Sequence, residues 1–256
     1  MFLLFGDEAD RERTKKFFVY GAIFAPTNSL QQLHAAIEKV RKDAGLKNTD
    51  TLKSSSYSRP EGFPKEKHRD LKNEVMRLAH EVGNVKFCAY VTLHELARNT
   101  EDNELITFGS NTVLGKFNEF LQGEKSYGYA MLDRMPGGEA FSFSYLKKKF
   151  QEGNFDGKVR LDRILGFSHV CDGSSHLCSV ADVLLGAFRY CVNEPENEEA
   201  AKEMFPVLMS MMWKRERGGK TYVNNCGLLL RPLNIQEPKH QAEYDALLQR
   251  LQGYLG

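Results

Sequence analysis

Two apolar runs of strand length open the chain, FLLF at 2–5 and KKFFVYGAIFA at 15–25, joined only by the short charged segment from Ala9 to Thr14. So short a connection between two such runs predicts an antiparallel hairpin. The second run is apolar on both faces along part of its length. The hairpin also delivers Asp7 and Glu8 to the end of its first strand.

Behind it, helical and strand periods alternate. Ser29 stands where a helix N-cap is expected, and Leu30, Leu33, Ile37 and Val40 keep helical spacing through about Asp43. Residues 48–64, NTDTLKSSSYSRPEGFP, form a long polar loop, the kind of segment that more often carries function than not. A helix is predicted over 65–81, a strand over 85–93, a helix over about 102–121, and the strand YGYAMLD over 127–133. Then come a helix over 139–151, the strand RILGFSHV over 163–170, and a strongly apolar helix from about 175. After a charged break at 194–199 follow a helix over about 199–213, the basic run KRERGGK, a last strand within NNCGLLLRPLNI, and a helix over 241–251. This order defines a mixed α/β protein. It is read as one domain over 1–256, with a core over about 1–193 and a C-terminal helical and strand extension over about 194–256.

The opening GDEAD contains the tetrapeptide of a group of RNA helicases. Such an enzyme needs the phosphate loop GxxxxGK[ST] upstream, and only six residues precede Asp7. The one similar stretch, Gly219-Lys220-Thr221, has Lys214 where the first glycine belongs. The acids serve another chemistry. Asp7 and Glu8 end the first strand, Asp133 ends YAMLD, Asp172 follows LGFSHV, and Asp182 sits inside the apolar helix LCSVADVLLGAF. Burying a lone carboxylate is unfavourable unless something compensates it. A hard divalent cation does so through oxygen ligands, and two such ions about 3.5–4 Å apart can clamp an in-line phosphoryl displacement. Taken singly each acid has an ordinary reading, and Asp182 has Arg189 or Lys53 as alternative ion-pair partners.

As a set, strand–acid, strand–acid and acid on a late helix resembles the RNase H-like superfamily. Within it the chain looks like the uncharacterised domain-of-unknown-function 3800 family. The matching letters are Asp7-Glu8 after an apolar strand, the strand FFVYGAIFA, Leu52-Lys53 in a loop, and Asp133 at a strand end. Asp172-Gly173-Ser174 and Val180-Ala181-Asp182-Val183-Leu184-Leu185-Gly186-Ala187 complete them. Ala9-Asp10 and Gly173 depart from the family's Ser-Gly and serine, and the likeness spans about residues 2–193. The resemblance implies an RNase H-like mixed sheet flanked by helices, with helical insertions and carboxylates gathered at one end. It implies a metal-dependent nuclease or related phosphodiester hydrolase using Mg²⁺ or Mn²⁺, with Asp7, Asp133 and Asp182 as ligands and Asp172 as a fourth candidate. Glu8 is either a further ligand or turned to the opposite face, since neighbours on a strand alternate sides. Lys53 is expected to meet a phosphate, or else to hold the acids apart as a salt bridge. The rival reading is a catalytically silent scaffold on the same fold, and a third keeps the metal with a small phosphate ester as substrate.

With 35 basic and 34 acidic side chains the net charge is +1, so nucleic-acid contact must come from local patches. Candidates are the runs 65–69, 147–149 and 214–220, with Tyr57 and Phe63 as stacking platforms. Five cysteines without CxxC spacing indicate a reducing, cytoplasmic setting rather than a disulfide framework. The compact cluster His169, Cys171, His176 and Cys178 raises the idea of zinc, though its pair spacing is not the usual one. Met204, Met209, Met211, Met212 and Trp213 read as core or a subunit contact.

Overall fold

A computed structural model describes residues 1–9, 13–134, 139–155, 157–171 and 173–256. The elements in order are β1 (Phe2–Ala9), β2 (Phe17–Pro26), α1 (Thr27–Ala44), a 3-10 turn (Ser56–Ser58), α2 (Lys65–Glu81), β3 (Lys86–Leu93), α3 (Asp102–Gly123) and β4 (Gly128–Asp133). There follow α4 (Glu139–Glu152), β5 (Ile164–Val170), α5 (His176–Asn193), α6 (Glu198–Met211), β6 (Arg215–Arg217), β7 (Lys220–Tyr222), β8 (Leu228–Arg231) and α7 (Pro238–Gly253).

Six strands make one mixed sheet in the order β5-β4-β1-β2-β3-β8. The opening hairpin is there: β1 and β2 are antiparallel, and β3 continues antiparallel on β2. On the other side β4 runs parallel to β1, and β5 parallel to β4. β8 closes the far edge parallel to β3. β2 is central and buried along nearly its whole length, which explains its unbroken apolar sequence. Phe17, Val19 and Ile23 face one core with Leu33, Val75, Leu184, Phe188, Phe205 and Leu247. Phe18, Tyr20, Ala22 and Phe24 face the other with Val113, Phe117, Phe120 and Trp213. The sheet is thus covered on both faces, by α1, α2, α5, α6 and α7 on one side and by α3 and α4 on the other. Met211, Met212 and Trp213 are core. No helix among the described residues is long and apolar enough to cross a membrane.

Three local expectations change. β1 runs on past Phe5 to Ala9, so Asp7 and Glu8 lie inside the paired strand, opposite Gly21 and Tyr20. Helix α1 begins at Thr27 directly after Pro26, which leaves Ser29 buried inside the helix rather than capping it. The basic run 214–220 folds into the β6/β7 hairpin. Its turn is Gly218-Gly219, both at positive φ (59° and 73°), the conformation that two-residue hairpin turns of the primed type require.

Candidate active site

The site is built where two parallel strands end together. The β1–β4 pairing stops at Gly6 opposite Leu132, so the next residues outward are Asp7 and Asp133. Phe5 and Met131, two residues back on each strand, both pack against the α5 side of the sheet. Strand alternation therefore puts Asp7 and Asp133 on that same side. Carboxylate oxygens of Asp7, Glu8 and Asp133 all lie within 4.8 Å of one another, and all three side chains are half-buried. Glu8 thus joins the acids. Asp7 Oδ1 also accepts the Glu8 backbone N–H at 2.8 Å.

Charge crowding shows in Asp7. Burial first, then the neighbouring charges of Glu8, Asp182 and Asp133, push its carboxyl well above the usual carboxylate range. Asp182 projects from α5 close enough to be felt there, but it stands outside the three-carboxylate group. Its Oδ2 accepts the backbone N–H of Ser54. Lys72 Nζ, from α2, donates to the Ser54 carbonyl at 2.7 Å, so the same residue is held from both sides. One turn beyond Asp182 the helix carries Gly186, where a Cβ would lie 1.6 Å from Ser54 Oγ and 2.4 Å from Ser54 Cβ. That glycine lets the loop press flat on α5. Leu52 anchors the loop in the core at 1 % exposure, and Lys53 stands half-buried between Leu52 and Ser54. Asp172 lies outside the described residues.

A groove of about 1100 Å³ leads away from Glu8 and Asp182, between the 3-10 turn with α2 on one side and α5 with α6 on the other. Lys65, Arg69 and Lys72 line it from α2, spaced i, i+4, i+7 on a single helical face, with Arg189 opposite. Tyr57 stands at the groove 99 % exposed. The sequence reading singled out Lys53 and the run 65–69 but passed over Lys72. The stripe itself was available, since the limits of α2 were legible. Behind the acids, a cavity of about 10 Å³ touches Asp7, Asp133, Cys171 and Cys178, about the room one water needs.

His68 is only 1 % exposed at the groove floor, and its Nε2 has no hydrogen-bond partner among the described residues. Burial, then the charges of Lys72 and Arg59, lower its pKa to about 4. The unfolded chain takes up this proton near pH 6.5 and the folded one only near 4. Stability is therefore expected to fall as pH drops through that window, by up to about 3 kcal/mol from this residue. Urea midpoints measured from pH 7 to 4 check this: His68→Phe should flatten the slope, and an unchanged slope would refute it. Phe63 packs edge-on against His68 at 6.4 Å between ring centres, half-buried, and so is spoken for by the fold.

The His and Cys cluster does not converge. His169 sets Nδ1 3.1 Å from the Asp133 carbonyl and Nε2 3.0 Å from the Ser142 carbonyl, tying β4 to α4. His176 stacks on His34 with ring centres 4.9 Å apart. Cys178 is buried and Cys171 exposed. Among the described residues the acids alone make a metal-sized group.

The result is an α/β fold, a mixed six-stranded sheet flanked by helices, with acids gathered where the β1–β4 pairing stops. No family model matches the chain, and no curated protein does. Among solved structures it is similar to a chain of the PCNA:RNase HII complex from Archaeoglobus fulgidus, with a TM-score of 0.39 and 12% identity over 78% of this chain and 76% of that one. So distant a likeness says nothing of residues or chemistry.

Proposed function

We propose that this protein is a divalent-metal-dependent phosphodiester hydrolase acting on nucleic acid. The observation that carries the reading is the meeting of Asp7, Glu8 and Asp133 within 4.8 Å, at the head of a groove where Lys65, Arg69, Lys72 and Arg189 alternate with Glu66, Asp70 and Glu203. The donor set is all carboxylate oxygen, which fits a hard ion such as Mg²⁺ or Mn²⁺. Mutual repulsion at Asp7 is what a bound cation would relieve. When bound, such an ion polarises a phosphoryl oxygen and lowers the pKa of a ligated water. Asp7, Glu8 and Asp133 would hold it, with Asp172 a proposed further ligand. Asp182 fixes the Ser54 loop at the rim, and Lys53 on that loop is proposed to meet a substrate phosphate. Lys65 and Arg69 follow the strand outward, and Tyr57 offers a face for a base.

The test is titration calorimetry with Mn²⁺ together with labelled RNA, DNA and hybrid offered in Mn²⁺ or Mg²⁺. Metal binding with cleavage is expected. No binding at millimolar metal would favour the scaffold reading, and cleavage of small phosphate esters alone would move the substrate class. For the groove, Tyr57→Ala should leave the melting temperature in place, because an exposed side chain contributes little to folding. It should weaken single-strand binding about tenfold, within the 1–3 kcal/mol typical of base stacking. Fluorescence anisotropy of a labelled strand measures this, and equal affinity would remove Tyr57 from the interface.

A further inference from the structure

We infer that the exposed face of α4 carries a further stretch of single-stranded nucleic acid, with Phe143 and Phe150 as stacking platforms and Lys147 between them. This rests on the reading of a nucleic-acid substrate above.

The fold sets the stripe. α4 turns Tyr145 into the core, where its hydroxyl lies 2.6 Å from Ser110 Oγ on α3. Phe143, Lys147 and Phe150, spaced i, i+4, i+7, are left together on an outward face. Phe143 is 70 % exposed and Phe150 65 %. Single exposed apolar side chains are ordinary on a protein surface. Two aromatic rings on one helical face with a cation between them are what single-strand binding uses, π faces for bases and positive charge for the backbone. Seven residues of helix set the rings about 10 Å apart. Each ring can thus take its own base, with the lysine beside the backbone that joins them. That charge suits a polyanion better than a second copy of a chain whose net charge is +1.

The stripe is also continuous with the acid corner. His169 bridges the Asp133 carbonyl at 3.1 Å and the Ser142 carbonyl at 3.0 Å, so the residue next to Phe143 is braced to the strand end that carries a proposed metal ligand. The groove with Tyr57 lies on the α5 face of the sheet, and α4 lies on the α3 face. A strand that rounds the end of β4 with its scissile phosphate at Asp7, Glu8 and Asp133 has Tyr57 on one side and Phe143 on the other.

The test is fluorescence anisotropy of a labelled single strand in chelator, where no cleavage interferes. Phe143→Ala and Phe150→Ala should each weaken binding about tenfold and the double variant about a hundredfold, with the melting temperature unmoved because both rings are exposed. Phe143→Tyr keeps a ring and should keep the affinity. Lys147→Gln should weaken binding and lower the salt slope by about one. With Mn²⁺ the double variant should raise KM with kcat and metal affinity near wild type. Wild-type strand affinity in the double variant would overturn the inference and leave the hydrolase standing. So would a double variant that loses only self-association or binding to anionic vesicles. Affinity that falls as expected in a protein that binds no Mn²⁺ and cleaves nothing keeps the strand surface and sinks the hydrolase. If the double variant melts early, Lys147→Gln decides, and an unchanged affinity and salt slope there count against the surface.

Discussion

Asp7→Asn should abolish Mn²⁺ binding and cleavage and yet make the metal-free protein more stable. The two effects have one origin. Asp7 shares its corner with Glu8, Asp133 and the field of Asp182, and burial with these charges opposes its ionisation. Its folded pKa lies above the unfolded value, so the stability it allows is complete below about pH 3.9 and is lost as pH rises through the raised value. At neutral pH the metal-free wild type carries that repulsion in full. Asparagine keeps the shape and removes one charge, and a gain of roughly 1–2 kcal/mol is the size usual when a strained functional group is neutralised. The melting temperature in chelator should therefore rise by a few degrees. Mn²⁺ should raise the wild type further by mass action and leave the variant where it is. Loss of a direct ligand should exceed the 10–100-fold typical of outer-shell partners in activity. Differential scanning calorimetry in chelator and in Mn²⁺ reads the crossing. A variant less stable than wild type in chelator would mean that the acids are not in conflict.

Gly186→Ala should do the reverse of what helix propensity dictates. Alanine in a helix interior is favoured over glycine by about 1 kcal/mol. Here the new Cβ would fall 2.4 Å from Ser54 Cβ, and serine is too short for its end to swing clear. The loop must lift, and with it go the Ser54 N–H bond to Asp182 and the Lys72 bond to the Ser54 carbonyl. A net loss of about 2 kcal/mol is expected, as for small-to-large changes at packed sites. Cleavage should fall at least tenfold, while Mn²⁺ affinity at Asp7, Glu8 and Asp133 changes little. Urea melts and calorimetry test this pair of outcomes. Raised stability with full activity would show that the loop is free to move off α5.

Much of the frame was legible in the sequence. The apolar hairpin, the helix over 65–81 and the strand ending at Asp133 stand close to where periodicity put them, because each has one strong apolar face or is buried on both. Asp133 was legible as the end of β4, whereas Asp7, expected at the end of β1, lies within it and is paired to Gly21. Glu8 was ambiguous, since alternation turns it from Asp7 along an ideal strand, yet its carboxylate lies within 4.8 Å of those of Asp7 and Asp133. Lys72 was missed because its role depends on where the 48–64 loop runs, and no periodicity encodes that path. The His169 and Cys178 cluster was misleading because spacing says nothing of which carbonyls have already claimed the ring nitrogens. The β6/β7 hairpin hid behind its charges, although Gly218-Gly219 marked its turn.

The parallel pairing of β1 with β4 sets Phe2 beside Gly128, far apart in the chain. A nascent chain that has closed only β1, β2 and β3 already holds Asp7 and Glu8, but the acid across from them has yet to arrive. Long-range parallel closure is slow. An ion captured at this corner would thus act as a latch fastened after assembly, holding the finished sheet shut without having helped to gather it.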